Sequence, residues 1–62
     1  MKITNCTKYQ FIGKNLLKAV MREAYSLEAT EIIINKARYN KWAEVDLYED
    51  GNCIVREYSI SA

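Results

Sequence analysis

The sequence predicts an α+β domain, a small two-layer sandwich of order β-α-β-β-β with a mostly antiparallel sheet and one helix packed on one face. Three observations carry this prediction. Apolar residues recur at helical spacing from Leu16 to Leu27, three consecutive isoleucines stand at 32 to 34, and the last third alternates into and out of the turn Glu49-Asp50-Gly51-Asn52.

The first strand is the weakest prediction. Residues 1 to 6 alternate only loosely, and Ile3 is their one strong strand former. Thr7 followed three residues later by Gln10 resembles a capping box, after which Tyr9, Ile12, Leu16, Leu17, Val20, Met21, Ala24 and Leu27 follow a helical period. Gly13 interrupts that run at about 1 kcal/mol relative to alanine. The alternative is a strand over 9 to 12 with the helix starting at Lys14 or Asn15. β-Branched residues stiff at χ1 make 30 to 37 a central strand buried on both faces. Tyr39, Asn40 and Lys41 then form a turn into a strand starting at Trp42. Leu16, Val20, Met21, Ala24 and Leu27 are expected to pack on Val45, Leu47 and Val55.

For the final hairpin two registers compete. A two-residue turn on Asp50-Gly51 sets Glu44 opposite Glu57, and like charges directly opposite destabilise a sheet. A three-residue loop over 49 to 51 instead pairs Leu47 with Cys53, Val45 with Val55, Glu44 with Arg56 and Trp42 with Tyr58, and is preferred. Strand alternation then gives an aliphatic face of Ala43, Val45, Leu47, Cys53 and Val55 for the helix. Trp42, Glu44, Asp46, Tyr48, Ile54, Arg56, Tyr58 and Ile60 fall on the outer face.

Sixty-two residues allow a single domain, and a chain of this size buries only about 60% of its unfolded surface. Hydrophobic residues at 50% and charged ones at 27% place it in the globular range. No apolar run is long enough to span a bilayer and no signal-peptide core is visible, so a cytoplasmic, non-membrane protein is expected. Cys6 and Cys53 read as free thiols of a reducing compartment, unless the first and last strands are neighbours and bring the sulfurs together.

The chain has no histidine, which removes the commonest general base and metal ligand. With no Cys-His pairing either, a non-enzymatic protein without cofactor or metal is expected. The acids Glu44, Asp46, Glu49 and Asp50 read as a solvated rim rather than a divalent-cation site. Charge order is more informative than the net value of +1. Residues 1 to 22 carry five basic residues and no acid, whereas 23 to 62 carry four basic and eight acidic ones, or +5 against −4. Lys14, Lys18 and Arg22, four apart, form one stripe along the helix.

The leading expectation is a protein-interaction module, a homodimer or a small inhibitor or adaptor of the kind that viruses and mobile elements carry. Its predicted binding residues are Trp42, Tyr48, Ile54, Arg56, Tyr58 and Ile60 on the outer face, because Trp, Tyr and Arg dominate binding hot spots. An outer strand could also extend a partner's sheet through its edge. The alternative is a small nucleic-acid-binding protein that uses Lys14, Lys18 and Arg22.

Overall fold

The computed structural model describes residues 1 to 7 and 12 to 62. The capping-box position Gln10 and most of the 9 to 12 segment lie outside the described residues. Elements follow the order β1 (Lys2–Asn5), α1 (Lys14–Ser26), β2 (Glu31–Arg38), β3 (Trp42–Glu49) and β4 (Asn52–Ser61). The four strands form one sheet in the order β1-β2-β3-β4, with β1 parallel to β2 and the other pairs antiparallel. This is the predicted fold class. β2 takes the predicted internal place, but β1 lies at the edge opposite β4, so Cys6 and Cys53 are on different edges and both are exposed free thiols.

Helix α1 places Leu16, Val20 and Ala24 on one stripe, all fully buried. They pack with Ile32 and Ile34 of β2, Ala43, Val45 and Leu47 of β3, and Ile60 of β4. β2 is therefore buried mainly on one face, with Ile33 half-exposed on the other, rather than on both as its isoleucine run predicts. Met21 is only partly buried and Leu27 is exposed, because the helix ends at Ser26 and Leu27 already belongs to its cap.

The start of the helix is built from tertiary contacts and its end from local ones. The start has no side-chain cap of its own and no acid in its first turn, where Lys14 opposes the macrodipole. The β2–β3 turn supplies what is missing. The Gly13 N–H donates to the Tyr39 carbonyl at 3.1 Å, and the Leu16 N–H donates to Asn40 Oδ1 at 3.4 Å. Gly13 is extended, a conformation open to any residue, so its role is space. A Cβ there would lie 1.7 Å from Asn40 Oδ1. At the other end Glu28 takes φ +60°, while the Glu28 N–H reaches the Tyr25 carbonyl at 3.0 Å and the Ala29 N–H reaches Ala24 at 2.9 Å. That is a Schellman motif with glutamate where glycine is preferred.

Two stability predictions result. Gly13→Ala should destabilise the fold by about 1–2 kcal/mol through loss of the Asn40 cap, and in an Asn40→Ala background most of that cost should vanish in a denaturant double-mutant cycle. Glu28→Gly should stabilise by roughly 0.5–1 kcal/mol, since it relieves the left-handed residue's strain without removing a buried contact; an unchanged or lower denaturation midpoint would contradict this account of the cap.

Candidate interaction surface

β3 organises the sheet's outer face. Its alternation sends Ala43, Val45 and Leu47 into the core and leaves Trp42, Glu44, Asp46 and Tyr48 on the side away from α1. β2 contributes Ile33, Lys36 and Arg38 to the same side, opposite Asp46, Glu44 and Trp42.

The β3–β4 hairpin differs from the preferred register. Asp50 and Gly51 both have positive φ, +48° and +84°, and Glu49 pairs with Asn52. This is the two-residue type I′ turn that Asp-Gly favours. The Glu44–Glu57 clash that argued against it is removed by two bulges in β4. Ile54 is an extra residue between the pairs Tyr48–Cys53 and Leu47–Val55, and Arg56 with Glu57 stand opposite Asp46 alone before Val45 pairs with Tyr58. β4 thereby advances by two positions, and Glu44 faces Ser59.

The two-residue turn and the bulges together exchange faces relative to the expected register. Tyr58 and Ile60, predicted outside, lie opposite Val45 and Ala43 on the helix side, and Ile60 is only 7% exposed within the core. Cys53, predicted inside, lies opposite Tyr48 and is exposed. Of the six predicted binding residues, Trp42, Tyr48 and Arg56 share the outer face, Ile54 is exposed at the first bulge, and Tyr58 and Ile60 are structural.

Asp46 holds the arrangement. Its Oδ1 accepts the Glu57 N–H at 2.9 Å and the Asn35 amide at 3.0 Å. Asn35 is itself the extra residue of a third irregularity, between the pairs Ile34–Val45 and Lys36–Glu44. One carboxylate thus satisfies groups at the bulges of both neighbouring strands, and sequence alternation alone gave no sign of it. Arg56, at the second β4 bulge, is held above its ordinary pKa first by a hydrogen bond with the Cys53 side chain and then by the charges of Tyr48, Cys53 and Asp46. It remains cationic throughout the physiological range.

On the helix side the Tyr58 hydroxyl donates to Glu23 Oε1 at 2.8 Å. That contact gives a partner to an acid near the helix C-terminus, where the macrodipole disfavours one. The hydrogen bond and the Glu23 charge push the Tyr58 pKa up. Lys14, Lys18 and Arg22 are all exposed, as a helix stripe requires, and none of them makes an ion pair among the described residues. Among the described residues no helix is long and apolar enough to cross a membrane. No group of acids and cysteines among the described residues is arranged to hold a metal. Neither a family model, nor a curated protein, nor a solved structure matches the chain.

Asp46→Ala should cost about 2–3 kcal/mol, because two donors lose a charged acceptor, whereas Asp46→Asn, which keeps one carbonyl oxygen, should cost less than about 1 kcal/mol; equal losses in urea titrations would refute the pinning role. Tyr58 gives a pH test. Its raised folded pKa means that its stabilising contribution is complete below the unfolded value near 10 and is lost as pH rises through the folded one. The stability gap between wild type and Tyr58→Phe should therefore be constant from about pH 7 to 9 and close above about pH 10.

Proposed function

We propose that the chain is a non-enzymatic protein-interaction module that binds through the outer face of its sheet. The observation that supports this most directly is the surface left by a one-helix, one-sheet architecture. α1 covers one side, and among the described residues no element covers Trp42, Tyr48, Ile33 and Arg56 on the other. Tryptophan, tyrosine and arginine are the residue types that carry most binding energy when desolvated by a partner. The charges between them, Glu31, Glu44 and Lys36, would give a polar surround that sets orientation.

A second copy of the chain is the simplest occupant, since a domain this small gains buried surface by association. Inhibition or adaptation of a different protein uses the same residues. Tyr58 and Ile60 take no part in either version, because both are committed to the helix side.

Sedimentation velocity at two concentrations separates the versions. A homodimer should dissociate on dilution, and Tyr48→Ala with Arg56→Ala should shift it to monomer by at least tenfold in Kd, or about 1.4 kcal/mol. If the chain is monomeric at all concentrations, immobilised protein should retain a host protein that the same double variant fails to retain. Retention unchanged by the variant would remove this face from consideration.

A further inference from the structure

We propose a second binding surface, which does not rest on the protein-binding reading although it shares Trp42 and Lys36 with that face: the end of the β2–β3 hairpin, with the start of α1, binds single-stranded nucleic acid. Lys36, Arg38 and Lys41 lie within a stretch, 36 to 43, that contains no acid, and all three are exposed. Tyr39 at the turn and Trp42 at the start of β3 are 54% and 36% exposed. Arg38 and Trp42 are direct cross-strand partners, so a cation and a large ring stand side by side on the outer face.

The fold adds what this stretch alone lacks. The hydrogen bonds from Gly13 to Tyr39 and from Leu16 to Asn40 bring the first turn of α1, and with it exposed Lys14, to the same end of the molecule. Among the described residues the cross-strand partners of Lys36 and Arg38 are Glu44 and Trp42, so Glu44 is the one acid paired with this group across the sheet. The opposite end carries Glu28, Glu31, Glu49 and Asp50, with Lys2 as the counter-charge, 4.0 Å from Glu31. It is closed by the Thr30 N–H donating to the Tyr48 carbonyl at 2.8 Å and the Asp50 N–H donating to Thr30 Oγ1 at 2.9 Å. A basic end and an acidic end orient a polyanion before contact.

The turn is also held in place. The Lys41 N–H donates to the Arg38 carbonyl at 2.7 Å, and the Lys41 carbonyl accepts the Ala62 N–H at 3.1 Å. The cations are therefore presented by a fixed backbone, which lowers the ordering cost of binding. Lysine in the first turn of α1 works against the helix dipole, and an anionic ligand offsets that penalty. Bases of an unpaired strand stack on exposed rings such as Tyr39 and Trp42 without regard to sequence, while the phosphates take the lysines and arginine.

The test is fluorescence anisotropy of the whole chain with labelled oligo-dT and oligo-U of about twelve nucleotides, at about 50 and about 200 mM salt. Micromolar binding of either strand is expected, weakening at least tenfold at the higher salt, with quenching of Trp42, the only tryptophan. Lys36→Gln with Arg38→Gln and Lys41→Gln should weaken it at least tenfold, and Tyr39→Ser about tenfold. Lys18→Gln with Arg22→Gln on the helix stripe, and Tyr48→Ala at the acidic end of the outer face, should leave it within about twofold. Thermal melts monitor folding, and the single loop variant Lys41→Glu carries the same test if the triple one fails to fold. The proposal is overturned by absence of binding at low salt or by binding that the hairpin substitutions leave unchanged. Equal affinity for duplex DNA or polyglutamate without tryptophan quenching overturns it as well.

Discussion

The carboxylate of Asp46 is the contact on which the sheet's geometry rests. A central strand ordinarily satisfies its neighbours through the backbone ladder alone. Here both neighbours carry an extra residue within two positions of Asp46, and its Oδ1 accepts a hydrogen bond from each strand. Glu57 has φ +51° at this point, a conformation that costs a non-glycine residue about 1–2 kcal/mol. A charge-assisted bond to its N–H offsets that strain. Together with the separate bulge at Ile54 this displaces β4 by two positions, which sets Tyr58 beside Glu23 and Ile60 in the core. Helix docking, hairpin register and the composition of the outer face are therefore linked through one side chain.

The same link explains what could be read from the sequence and what could not. Helical spacing found Leu16, Val20 and Ala24, and the isoleucine run found an internal strand, because each signal is local and repeats with the period of its element. The outer positions of β3 were also legible, since that strand alternates without interruption. β4 was not. The two-residue turn and each bulge shift the strand by one residue and reverse the inside–outside assignment up to the next such shift, and Ile54, Arg56 and Glu57 carry no mark of it in composition. The clash between Glu44 and Glu57 was a true signal. It reported that an unbroken two-residue register is disfavoured, and the chain bulges rather than lengthening the turn.

Gly13 shows a second limit. In a linear reading it is a helix breaker, because its neighbours are helical and its propensity is poor. In the fold it is the point where the Asn40 side chain crosses the chain to cap α1, from a turn 24 residues away in sequence. The hairpin and the helix therefore form as a coupled pair: loss of the turn uncaps the helix, and a side chain at Gly13 displaces the turn.

The bulges in β4 bear also on what this chain avoids. β4 is the longest strand and lies at an open edge of the sheet, the kind of template along which strands of other molecules add and aggregates grow. Two interruptions within five residues break its ladder into short, differently twisted segments, and no straight strand can follow all of them in register. The irregularities that set the final register of β4 thus also guard a small, half-covered sheet against edge-to-edge polymerisation.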